Sequence, residues 1–167
     1  FPRNYSTFTN NTQNENLIMA PLKLWLTAFA IVISATSMNA SGQERTFINP
    51  SSATSTAGPP FSGGVNVNGT VYLSGRLGLE NGAVPAVPAQ EARNVLNIIK
   101  NTLESGGLTM DDLVYVQIFC SDLSLYEVFN EVYRTYFSAE FPARAFIGTG
   151  SLLNNAHFEI QAIAVAR

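Results

Sequence analysis

Two charged residues stand inside apolar runs near the C-terminus. Arg144 opens "ARAFIGTG" and Glu159 lies within "HFEIQAIAVA". A guanidinium in a run that reads as a buried strand is costly unless something pairs with it. Two pairings are open. The two strands read as antiparallel neighbours, so a cross-strand ion pair is one outcome. In the other, Arg144 grips a small carboxylate in a two-pronged fork and Glu159 handles water or a proton. "YLSGRLGL" adds Ser74-Gly75 near the end of a strand, where glycine marks a bulge or the close approach of a ligand to the backbone.

Other chemistries find little support. The chain has one cysteine, Cys120, and one histidine, His157. One cysteine cannot close an internal disulfide, and the pair makes a Cys- or His-based metal site improbable. Cys120 sits in an apolar strand and reads as an inert thiol. His157, at a loop–strand junction, reads as structural or exposed. Gly-rich phosphate loops are absent. From Thr46 onward there are six Lys/Arg and ten Asp/Glu, a poor surface for a phosphate backbone.

The elements that must position these residues follow in order. "FSGGVNVNGTVYLSGRL" gives two strands about Asn68-Gly69, the strongest short hairpin signal. "TFINPSSATSTAGPP", before it, reads as a loop-like arm. After Pro88, the spacing of Ala92, Val95, Leu96, Ile99 and Leu103 predicts a helix, stopped by Gly106-Gly107. "LVYVQIFCS" is a strand. "SLYEVFNEVYRTYF" is a second helix, with Ser124 and Glu127 as a capping box and Leu125, Val128, Phe129, Val132 and Tyr136 as its apolar face. "ARAFIGTG" and "HFEIQAIAVA" complete the order β-β-α-β-α-β-β. Such an order predicts an α+β sandwich, a mixed sheet with two helices on one face. Ile163, Val165 and Phe146 are expected on the bare face, and an exposed apolar face predicts an oligomer.

Residues 1–42 stand apart from the domain, which is taken as 43–167. From Met19, one Lys precedes an apolar run too short for a comfortable membrane span, and small-x-small patterns follow at Ala35 and Ala40. This is the layout of a secretory signal peptide, which predicts a secreted chain or, failing that, an organellar one. No membrane association is expected once the leader is cleaved. In that setting "NGT" at Asn68 is an N-glycosylation pattern as well as a turn.

Together the motifs resemble the RidA (YjgF) family of imine and enamine deaminases, from about Phe47 to the end. "YLSGRLGL" is similar to that family's strand motif, "NEVYRTYF" to its second-helix signature, and "FPARAFIGTG" with "FEIQAIAVA" to its C-terminal signature. The resemblance implies a chorismate-mutase-like fold, a homotrimer, and three sites in clefts between subunits. It implies that Arg144 grips the carboxylate of a 2-imino acid and that Glu159 serves the hydrolytic water. Ser74 and Gly75 would line the cleft, with Asn130 as the helix asparagine of the motif. No metal or cofactor is implied, because an iminium carbon held beside an oriented water is already electrophilic. The products would be a 2-keto acid and ammonia.

Several positions depart from the family pattern. Phe61 replaces a tyrosine and loses its hydroxyl. Arg76 stands for a glutamine, Phe146 for a cysteine, and "SLL" for a Leu-Pro segment. These departures leave a second expectation beside the deaminase: a trimer that holds a small carboxylate without turning it over. A ribonuclease activity reported for some family members fits the acidic domain poorly.

Overall fold

A computed structural model describes residues 44–49 and 58–167. The leader 1–42 lies outside the described residues. The described elements are β1 (Arg45–Ile48), β2 (Gly64–Val67), β3 (Thr70–Leu77), α1 (Pro88–Ser105), β4 (Leu113–Cys120), α2 (Tyr126–Tyr133), β5 (Ala143–Gly148) and β6 (Phe158–Val165). There is one strand more than expected. The last three residues of β1, 46–48, open the stretch read as a loop-like arm, and they become strand by pairing with β2.

The hairpin forms as expected. Asn68 and Gly69 both take positive φ, 52° and 84°, as a two-residue turn of matching twist requires. α1 begins on Pro88 and buries Ala92, Val95, Leu96, Ile99 and Leu103. Its end is a Schellman motif: Leu108 N–H donates to the Leu103 carbonyl and Gly107 N–H to that of Glu104. Gly107 has φ 77°, the left-handed conformation that favours glycine. The capping box expected at Ser124 and Glu127 is not there. Asp122 caps instead, accepting from Ser124 N–H at 2.9 Å, and a 3-10 turn over Leu123–Leu125 precedes α2. A true capping box lies elsewhere, between Thr109 and Asp112.

The strands form one six-stranded sheet in the order β1-β2-β3-β6-β4-β5. Only β4 and β5 run parallel; the other pairs are antiparallel. β6 inserts between β3 and β4, so the C-terminal strand occupies the middle of the sheet and β5 is left at its edge. Alternation on β6 is strict. Phe158, Ile160, Ala162 and Ala164 are buried, and Glu159, Gln161, Ile163 and Val165 face outward. The helices cover the first set, closing a core with Val116, Ile118, Phe129 and the α1 residues.

α1 is tied to the start of β6 by a buried carboxylate. Glu91 is fully buried and accepts from the His157 N–H at 2.7 Å, the Phe158 N–H at 3.1 Å and His157 Nδ1 at 2.7 Å. A buried carboxylate needs such partners. The arrangement fixes the backbone immediately before Glu159.

Candidate active site

Arg144 lies on the edge strand β5, in register with Val116 of β4. Val116 is buried under the helices, and paired residues share a face, so Arg144 projects toward α2. Its Nη1 donates to Asn130 Oδ1 at 2.8 Å, and its Nη2 reaches the Tyr126 hydroxyl at 3.4 Å. The Tyr133 ring lies 4.9 Å from the guanidinium carbon and the Phe146 ring 5.8 Å, a cation–π setting that tolerates a partly desolvated charge. Among the described residues no carboxylate lies within 4.0 Å of Arg144.

The space beside it is a cleft of about 230 Å³. Tyr126, Asn130 and Tyr133 of α2, Arg134 just beyond it, and Phe141, Pro142 and Arg144 form its walls. Asn130 is buried although polar, and the Arg144 contact occupies its side-chain oxygen. The Tyr133 hydroxyl is buried without any hydrogen-bond partner. Burial pushes its pKa up to about 12, against the opposing pull of the Arg144 charge, so at neutral pH it is a proton-bearing donor.

A second group of residues forms around Glu159. In the antiparallel pair of β3 and β6, Leu73 faces Ala162 and Arg76 faces Ile160. Ser74 and Gly75 are therefore the extra residues of a bulge. The Glu159 carboxylate packs over Gly75, where any Cβ would collide with it. The bulge reading holds, and the missing side chain at Gly75 leaves room for the protein's own Glu159 carboxylate. The Ser74 hydroxyl donates to the Ser62 carbonyl at 2.7 Å. Phe61, half exposed, lies under the Arg76 guanidinium, 5.8 Å from ring centre to carbon.

The cross-strand ion pair between Arg144 and Glu159 does not form. Their strands are not neighbours, because β4 runs between them. Glu159 is in register with Phe119 on the outward face, while Arg144 points to the helix side. Within one copy the two groups occupy opposite faces of the sheet. Phe146 also differs from expectation. It pairs with Ile118, points under α2, and packs edge-on against Tyr126 and Phe129 at 4.9 and 5.6 Å. Arg144, Asn130 and Phe146 therefore assemble in one place, and Glu159, Ser74 and Gly75 in another.

The remaining candidates are structural. Cys120 is fully buried, its thiol donates to the Asp122 carbonyl at 3.1 Å, and burial pushes its pKa up, away from nucleophilic thiolate character. His157 belongs to the Glu91 tie. Among the described residues no three His, Cys, Asp or Glu side chains converge as a metal site, and no helix is long and apolar enough to cross a membrane.

Residues 51–166 match the family model described as endoribonuclease L-PSP. The chain belongs to this family, the RidA (YjgF) family that its motifs resemble. A relative from Dermatophagoides farinae, named 2-iminobutanoate/2-iminopropanoate deaminase, is 36% identical over 64% of this chain and 85% of its own length. The crystal structure of the YjgF gene product from E. coli superposes with a TM-score of 0.65 at 31% identity, over 73% of this chain and 98% of that one. E. coli TdcF with bound serine gives 0.63 at 30% identity, over 66% and 91%. Mixed sheet, two helices and element order agree with the RidA fold.

Tyr126, Tyr133 and Arg134 are cleft residues that the sequence reading did not single out. A signal existed in the spacing. Tyr126, Asn130 and Arg134 recur every four residues, one stripe along a helix. The stripe is hard to see in sequence because it runs beside the stronger apolar face of the same helix.

Proposed function

We propose that this RidA-family chain is a hydrolytic deaminase of 2-imino acids and works as a homotrimer with its sites between copies. One observation carries the reading. Arg144 is held in place by Asn130 and Tyr133 and opens on a small cleft in which the described residues place no carboxylate. Such a guanidinium is a receptor set for an incoming carboxylate, and its fixed fork loses little freedom on binding. The deaminase named among the relatives acts on small imino acids, and TdcF holds serine, another small carboxylate.

The chemistry follows from these groups. Arg144 holds the substrate carboxylate, so the iminium carbon has a fixed position. Glu159 accepts a proton from a water as its oxygen attacks that carbon. The tetrahedral carbinolamine then expels its nitrogen as ammonia, taking up a proton, and the carbonyl of the 2-keto acid forms. Water supplies the oxygen, and no oxidant or metal enters the balance.

Arg144 and Glu159 are on opposite faces of one copy, so a complete site in this reading takes Arg144 from one copy and Glu159 from the next. The bare sheet face supports such an assembly. Phe47, Val65, Tyr72, Ile163 and Tyr115 stand in register across five strands, with Phe47 and Tyr72 largely exposed. An apolar ladder of this length is a surface that associates.

The test uses imine hydrolysis, read as lost semicarbazone, with Arg144→Ala and Glu159→Gln. Each variant alone is expected to lose roughly a hundredfold or more in rate. Mixed and reassembled, the two are expected to regain activity, since some contacts then join an intact Arg144 to an intact Glu159. Continued inactivity of the mixture would place both groups in one copy's site. Undiminished turnover by Arg144→Ala would end the deaminase reading at this cleft.

A further inference from the structure

A second arginine, Arg134, exposed to solvent, lines the Arg144 cleft. Arg134 continues the stripe of Tyr126 and Asn130 along α2, and its own backbone is still helical at φ −57°, ψ −28°. It lines the same volume of about 230 Å³, and among the described residues it makes no ion pair. The exposed carboxylates of its own helix, Glu127 and Glu131, are not within 4.0 Å of it.

The polar lining of this cleft consists almost entirely of donors. Arg134 and Arg144 can only donate. The Asn130 oxygen is taken by Arg144, which leaves its NH₂ group. The Tyr133 hydroxyl is buried with no acceptor. The Tyr126 oxygen faces Arg144 Nη2, so its proton too is free for an acceptor. Two like charges in one small cleft repel, and a ligand with a single carboxylate neutralises only one of them.

We propose that this cleft selects 2-imino acids bearing a second carboxylate, with Arg144 holding the carboxylate next to the imine and Arg134 the one at the far end. The proposal rests on the deaminase reading and names its substrate class. Arg134 is the specificity-determining residue.

The experiment compares two imines made in situ by amino acid oxidases, one from glutamate and one from 2-aminobutanoate. Wild type is expected to have the higher kcat/KM on the glutamate-derived imine. Arg134→Gln is expected to lose about tenfold or more on that diacid and much less on the monoacid, while Arg134→Lys keeps part of the preference. Equal or lower wild-type activity on the diacid overturns the proposal, as does an Arg134→Gln variant that slows both alike. If neither imine is turned over, the deaminase reading fails by itself. Titration with 2-oxoglutarate and 2-oxobutanoate then decides the selectivity: tighter diacid binding that is lost in Arg134→Gln supports it, and equal or weaker diacid binding overturns it.

Discussion

The Tyr133 hydroxyl is buried beside Arg144 with nothing to accept its proton, and a buried donor left unmade costs free energy. Tyr133→Phe removes that donor while keeping the ring under the guanidinium. The variant is expected to be more stable than wild type by about 1 kcal/mol in a denaturant melt, yet to bind 2-oxobutanoate more weakly. A purely structural tyrosine would not give opposite signs. Arg144 and Glu159 were legible in the sequence because each is a charge inside an apolar run, and because the runs carry family motifs. Their separation to opposite faces was not legible, since it depends on which strand lies between theirs. Phe146 was misplaced for a related reason. Both alternating sets on β5 contain apolar residues, so local pattern does not say which set the helices cover.

At the level of elements, the long helix, the Asn68-Gly69 hairpin and the strict alternation of β6 were readable, because each signal lies within a few consecutive residues. β1 was missed because four residues between polar stretches carry almost no signal until β2 pairs with them. The position of β6 between β3 and β4 is a long-range pairing that no local spacing encodes. Turn chemistry is half legible: Ser124 has the spacing of a cap, but Asp122, two residues earlier, provides it. Asp112 and Asp122 cap their own turns, and Asp111 ties its turn to Ser138, 27 residues away. The Ser138 hydroxyl keeps Asp111 below the usual carboxylate range, the Thr109 backbone N–H and hydroxyl do so for Asp112, and the Ser124 hydroxyl and backbone N–H for Asp122. Their folded-state pKa values lie below the unfolded ones, so the folded state binds fewer protons in that window. This stability is fully present above about pH 4 and is lost as pH falls through the lowered folded values. A thermal midpoint that drops below about pH 4, with a shallower drop in Asp112→Asn, is the expected result.

Among the described residues, one sheet face is covered by the helices and the other is bare. Tyr72 stands at the centre of the bare ladder, paired with Val65 on one side and Ile163 on the other. Tyr72→Glu places a charge where the proposed trimer excludes water, at a position already half exposed in a single copy. Circular dichroism is expected to show an intact fold, light scattering a smaller particle, and the imine assay a loss of most activity. A trimer that persists in this variant would mean the ladder is not where copies meet.

The opposite-face placement of Arg144 and Glu159 has a kinetic consequence. If the site is shared between copies as proposed, a folded single copy holds Arg144 and Glu159 on opposite faces and no complete site. Specific activity would then depend on the amount of protein as well as on the substrate: it falls on dilution below the dissociation constant of the assembly and returns on concentration. Under the proposed deaminase reading, dilution alone would switch the shared site off.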